Sequence, residues 1–194
     1  MIKPTVLLAV LLAIPVLATA APKKRANLLQ PLEDEMTAKG ELPKLMTKAL
    51  KNGDRCIYDD KRWEQATHDG VSISDLYEML QGAVFCWQDT EKKASKAGEG
   101  NQPAADYFRA RARHIEAYRS YIWAMEAKGT NNRLLTCKRL KVAVEEVAAA
   151  ITSADGLAEK FTSESGKALA AFATAQSDSL SAMITDEYSN QKCD

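Results

Sequence analysis

The chain has 194 residues, with 26 lysines and arginines balanced by 26 aspartates and glutamates, and it contains four cysteines. A formal net charge of zero provides no long-range field toward nucleic acid or an anionic membrane surface, so we expect neither as a partner. The length suits one domain with a substantial core.

The N-terminal residues indicate the compartment. A lysine near the start is followed by an apolar run from Val6 to Leu17 and then by an Ala-x-Ala site that ends at Ala20, which is the pattern of a secretory signal peptide. The apolar run is shorter than the roughly 20 residues that a membrane-spanning helix needs. We therefore expect a signal peptide over 1–20, cleavage after Ala20, and a periplasmic or secreted protein without a membrane span.

The four cysteines, Cys56, Cys86, Cys137 and Cys193, lie far apart in the chain. Redox Cys-x-x-Cys motifs, haem attachment and zinc ribbons all need short intervals, so the spacing excludes them. In an exported protein an even number of separated cysteines most simply forms disulfides. Three pairings are open. We favour Cys56 with Cys86 and Cys137 with Cys193, because sequential pairing keeps each bridge within one half of the chain.

The segment 21–31 follows the signal peptide; it is basic, lacks helical periodicity and ends in proline. These features predict a mobile leader. The remainder, 32–194, shows no repeat and no internal linker composition, and no part of it has the alternation typical of a strand. We therefore expect 32–194 to form a single helical domain.

The first part of this domain is the least regular. A helix is predicted over Leu32 to Lys51, broken or bent near Gly40 and Pro43. Turn residues at both ends of the segment from Lys51 to Gly70 predict an irregular connection that is tethered by Cys56.

The next two helices have clearer limits. Ser72 and Asp75 form a capping box that predicts the start of a second helix, which ends in the sequence KASKAGEGNQP. A third helix is predicted with Asn101 as its cap, Pro103 in its first turn and a stop at Gly129.

The C-terminal third is also predicted to be helical. A fourth helix from Asn132 to Ser153 would bury Leu140, Val144, Val147 and Ile151 along one side. The last stretch, Leu157 to Tyr188, is rich in alanine and serine, with bends expected at Gly156 and Gly166. The sequence as a whole predicts an all-α fold, a disulfide-stapled bundle of four to six helices.

One flank of the third helix is the best candidate for a contact surface in the sequence. It carries several tyrosines, and exposed tyrosines supply a large contact area to a protein partner. The alternative is that they form the edge of the core, with their hydroxyls reaching water. On the same helix Arg109 and Arg113 are expected on a solvated face, where Arg113 can pair with Glu116. The residues of this candidate interface are Tyr107, Arg111, His114, Tyr118, Tyr121 and Met125.

The sequence contains no recognisable catalytic or metal motif. Glu64 and His68 lie four residues apart and, with Asp59 and Asp60 nearby, could form a weak divalent metal site, although ordinary surface polarity explains them as well. His114 has no recognisable serine or cysteine partner. We expect no cofactor and no catalytic residue; were the protein an enzyme, Glu64, His68 and His114 would be the polar groups to test.

These observations favour an exported helical binding protein that acts through contact with another protein. An inhibitor, an immunity factor against a secreted toxin and an envelope-assembly component all fit this description. The alternatives are a carrier of a small molecule, a metal or haem, and an enzyme of unrecognised type.

Overall fold

The computed structural model describes residues 28–38 and 40–193, so the predicted signal peptide, its cleavage site and most of the predicted leader lie outside the described residues. Within that part, six α-helices and two short 3-10 turns occur without any strand, which confirms the all-α bundle. The helices are α1 (Gln30–Thr37), α2 (Lys44–Asp69), α3 (Ile73–Ser95), α4 (Gln102–Gly129), α5 (Arg133–Ala154) and α6 (Glu164–Asn190).

Consecutive helices from α2 to α6 pack side by side and run antiparallel. Asn52 near the start of α2 donates to Thr90 near the end of α3, which shows the direction of the first pair. α4 lies at the centre between α3, α5 and α6, and 17 of its 28 residues are buried. Alanines make up much of its buried surface, and these small side chains let the neighbouring helices approach closely.

Both disulfides form with the favoured pairing. Cys56 joins Cys86 with a Cα–Cα distance of 5.6 Å and so links α2 to α3. Cys137 joins Cys193 with a Cα–Cα distance of 5.2 Å, tying α5 to the residues that follow α6. Two such bridges indicate an oxidising, extracytoplasmic compartment. Among the described helices, none is long and apolar enough to cross a membrane.

The prediction of an irregular connection from Lys51 to Gly70 is wrong, because α2 runs without a break through this segment as far as Asp69. Gly53 does not form a turn. A Cβ at this position would lie 2.5 Å from Leu29 Cδ1, so the glycine allows close packing inside the helix bundle. Asn52 uses its side chain to bind α3 at Thr90. The residues typical of turns here serve contacts between helices.

The break predicted near Gly40 and Pro43 is confirmed, since α1 ends at Thr37 and α2 begins at Lys44. The fold begins slightly earlier than expected. Pro31 lies in the first turn of α1, and Leu29 is fully buried, so residues 28–31 belong to the bundle.

Most predicted helix ends are confirmed. Ser72 accepts a hydrogen bond from the backbone of Asp75 at the start of α3, and Asn132 caps α5 in the same way. Asn101 precedes α4 but does not cap it, because its side chain donates to Ala97 of the preceding turn.

Two expectations about the last two helices are wrong. The bend predicted at Gly166 does not occur, because this glycine lies in the first turn of α6. A Cβ there would lie 2.8 Å from the Phe161 ring, so the residue is small for packing. Val144 of α5 is 36% exposed rather than buried. α4 and α6 therefore cover only part of the side of α5 that was predicted to be buried.

Candidate functional site

The six residues predicted as an interface lie on α4, but they face the interior of the bundle. Five of them, Tyr107, Arg111, His114, Tyr118 and Tyr121, are buried, and Met125 is half-buried. In this conformation a partner docking on the outside would not reach the buried atoms. Their role in binding stays a prediction, and their burial favours the alternative, a core edge.

A buried ion pair organises this interior. Arg111 Nη2 donates to Asp60 Oδ2 at 2.8 Å, and the indole nitrogens of Trp63 and Trp87 donate to the same carboxylate at 3.3 and 3.1 Å. Arg111 also bonds to Gln176 of α6 and lies 5.7 Å above the Trp87 ring. Burial opposes the charged form, but Asp60 more than offsets this and raises the pKa of Arg111. The network joins α2, α3, α4 and α6.

His114 is buried beside this network without joining it. Its Nδ1 has no hydrogen-bond partner among the described residues. Burial, together with the nearby charge of Arg111, lowers the pKa of His114 to about 3. The imidazole is therefore neutral at pH 7.

The candidates for metal binding do not converge. α2 places Glu64 and His68 one turn apart, but Asp60 is engaged with Arg111 in the interior. Burial, with the negative charge of Asp60, raises the pKa of Glu64. Across residues 28–38 and 40–193, no three His, Cys, Asp or Glu side chains are grouped to hold a metal ion.

A small cleft lies where the start of α3 meets the end of α4. Its volume is 260 Å³, and it is lined by Ile73, Ser74, Tyr77, Trp123 and Glu126. Trp123 is 37% exposed and Ile73 equally so, and Val71 beside them is 40% exposed. We call the five lining residues the aromatic cleft.

Two arginines brace the rings of the aromatic cleft. Arg139 of α5 lies 4.2 Å from the centre of the Trp123 ring, and its Nη1 donates at 2.8 Å to both the Trp123 carbonyl and the Glu126 carboxylate. Arg119 lies 5.2 Å from the centre of the Tyr77 ring. Stacking of this kind holds both partners in place. The Nε atoms of both arginines are buried without a partner in the described part of the chain, so each guanidinium keeps unused donors.

The sequence did not predict the aromatic cleft. A signal was present, because Val71, Ile73 and Trp123 are large apolar residues outside the stripes that face the core. Exposed apolar residues on two helices form one surface only if the two helices are neighbours. The sequence does not show that α3 packs against α4 at this point.

No family model, curated protein or solved structure matches the chain.

Proposed function

We propose that this is an exported protein that acts by binding another protein, with the aromatic cleft as its contact site. An inhibitor, a toxin-immunity factor or an envelope-assembly component would act in this way. The observation that carries the proposal is an exposed tryptophan beside a tyrosine, each ring held by an arginine. Tryptophan, tyrosine and arginine are the residues that dominate the binding energy of protein interfaces.

The size of the aromatic cleft favours a protein partner over a small ligand. Pockets for small molecules and cofactors usually measure about 300 to 1,000 Å³, and this cleft measures 260 Å³. That volume suits one apolar side chain inserted from a partner surface.

Rigidity supports the same proposal. The stacked rings lie on α3 and α4, α3 is joined to α2 by a disulfide, and Arg139 bonds to the backbone of α4. Side chains that are already ordered lose little entropy on binding. The site therefore resembles a pre-formed anchor.

Substitution of Trp123 tests the proposal. The wild-type chain and Trp123→Ala would each be used for affinity capture from envelope extract of the producing organism, and the recovered protein would then be purified for titration calorimetry. We expect Trp123→Ala to weaken binding about 30-fold, the equivalent of about 2 kcal/mol.

Phe172→Ala is the matched control, because Phe172 is an aromatic residue of α6 that is 45% exposed and lies outside the aromatic cleft. It should bind as the wild type does. Equal binding by Trp123→Ala, or recovery of no stoichiometric partner under any condition, would overturn the proposal.

A further inference from the structure

A second surface lies on the other side of α3, in the groove that this helix forms with α2. The groove has a volume of 490 Å³, and Cys86 of the disulfide lies at its base with Met79 and Ala83. Phe85 projects at its edge and is 59% exposed. We call this surface the α2–α3 groove.

Four of the five charged side chains that line the α2–α3 groove have no partner in the described chain, and the fifth, Asp89, pairs with Lys93. The structure describes eight arginines, and six of them form hydrogen bonds or ion pairs. The other two, Arg55 and Arg62, both line this groove. Asp59 and Glu78 line it as well, and neither has a side-chain hydrogen bond or an ion pair within residues 28–38 and 40–193. Two cations and two anions are thus left unpaired on one surface.

Gly82 leaves open space at the surface of the α2–α3 groove. It lies in the middle of α3, although glycine is among the poorest helix formers. The glycine in α2, Gly53, is explained by packing, because a Cβ would meet Leu29 Cδ1 at 2.5 Å. A Cβ on Gly82 would meet no atom within 4 Å. The space beside Gly82 is therefore open to a group that approaches from outside.

Charge varies along the α2–α3 groove. α2 and α3 are antiparallel, so the start of α2 lies beside the end of α3. At the end near the start of α2, the exposed residues Lys48, Lys51 and Arg55 outnumber the exposed carboxylates of Asp54 and Asp89, so this end is basic. The opposite end carries Asp69 and Asp75, together with Glu78 of its lining.

We propose that the α2–α3 groove binds a second copy of this chain, giving a two-fold symmetric dimer. A two-fold axis in the plane of the groove, perpendicular to the helices and close to Gly82, places the basic end of each copy over the acidic end of the other. The same axis brings Phe85 of each copy over the space above Gly82 of the other. An unrelated partner would have to match both features, whereas a second copy carries the match in its own sequence.

Sedimentation equilibrium of the exported chain tests the dimer. The wild type should have twice the mass of one chain at tens of micromolar. Gly82→Trp fills the space that Phe85 of the other copy needs, while its Cβ meets no atom of its own chain within 4 Å, and it should weaken the dimer at least tenfold. Gly100→Trp is the matched control, because a Cβ on Gly100 also meets no atom within 4 Å. It should remain dimeric.

Charge reversal gives a second test that does not depend on Gly82. Lys48→Glu with Lys51→Glu, and separately Asp69→Lys with Glu78→Lys, should each sediment as a monomer at the wild-type dimer concentration. An equimolar mixture of the two double variants should return to the dimer mass, because opposite charges then meet again. Circular dichroism of each variant would establish that the helices are retained.

The outcomes separate this proposal from the contact function of the aromatic cleft. Trp123→Ala should remain dimeric, and Gly82→Trp should still bind the partner that Trp123 anchors. A wild-type chain that is monomeric at every concentration would overturn the dimer, and so would a dimer that none of the groove variants weakens.

Discussion

At the scale of single residues, the interior depends on Asp60. This carboxylate is almost fully buried and accepts hydrogen bonds from Arg111 and from two tryptophan indoles. A buried charge without its partner is strongly destabilising, whereas a complete pair is tolerated. The main effect of the pair is therefore on how α2, α3 and α4 pack together. Its net contribution to stability is small as long as both partners are present.

Asp60→Asn should lower the free energy of unfolding by about 3 kcal/mol, because Arg111 would keep a buried charge without a counter-ion. Urea unfolding followed by circular dichroism would measure this at a fixed protein concentration. The control is Asp178→Asn, an exposed carboxylate of α6 with no side-chain hydrogen bond among the described residues, which should change stability by less than about 0.5 kcal/mol. Asp60→Leu combined with Arg111→Met should recover most of the loss. A loss below 1 kcal/mol for Asp60→Asn would contradict this account.

At the scale of the helices, a buried carboxylate of α1 binds the backbone at the start of α6. Glu35 of α1 is 1% exposed. It accepts 2.8 Å hydrogen bonds from the backbone nitrogens of Thr162 and Ser163 and a 2.7 Å bond from the Thr162 hydroxyl. Burial alone would raise the pKa of Glu35, but the hydrogen bonds outweigh it and lower the pKa to about 2.

This lowered pKa predicts a pH dependence of stability. The folded-state pKa of Glu35 lies below its ordinary value of 4.5, so the stabilisation is complete above that value and is lost as the pH falls from about 4.5 toward 2. We expect Glu35→Gln to lose about 2 kcal/mol at pH 6, allowing for screening by solvent. At pH 2.5 the two proteins should differ much less.

Urea unfolding of both proteins between pH 2.5 and pH 6 would measure this difference. Glu164→Gln is the control, because its carboxylate is exposed and, among the residues that the structure describes, pairs only with Lys167. A constant gap between wild type and Glu35→Gln across this range would show that the charge of Glu35 does not matter.

The sequence could predict the helices but not which helices pack against each other. Periodicity and capping residues located α3, α4 and α5 to within a few residues, because these signals act within one helix. Gly53 looked like a turn residue because its reason for being small, the approach of Leu29, comes from another helix. No pattern within one helix indicates that contact.

The candidate site could not be predicted for a related reason. On a helical wheel, Arg111 and His114 appear as a polar flank, and a polar flank is usually solvated. Their burial follows from Asp60 and the tryptophans, which approach from α2 and α3. The aromatic cleft likewise needs Tyr77 and Trp123 side by side, and only the packing of α3 on α4 brings them together.

At the scale of the whole molecule, one disulfide joins helices in the first half of the chain and the other joins helices in the second half. One joins α2 to α3, and the other joins α5 to the residues after α6, so α4 has no disulfide and is held by packing and by polar contacts such as the Arg111–Asp60 ion pair. The C-terminal bridge is supported by Arg133, which donates to the carbonyls of Gln191 and Lys192 at 2.8 and 2.5 Å. These contacts close the bundle at its C-terminal end.

Removing either bridge should destabilise the chain by a similar amount. The bonded cysteines are separated by 30 and by 56 residues, and the chain-entropy model gives about 4 kcal/mol for closing loops of these lengths. We expect the double variant Cys137→Ser with Cys193→Ser to lose about that much. Its hydrogen exchange should rise mainly at the end of α6, since that segment is then held by Arg133, by the ion pair between Lys128 and Glu187 and by packing, without a covalent link.

The double variant Cys56→Ser with Cys86→Ser is the comparison. It should lose a similar free energy of unfolding, but its exchange should rise in α2 and α3 instead. Because a dimer would link stability to concentration, both variants and the wild type must be unfolded at one protein concentration. Equal exchange across the whole chain in both variants would mean that each bridge acts only on the unfolded state. In that case the two bridges would not protect separate parts of the folded bundle, and loop closure alone would account for the loss of stability.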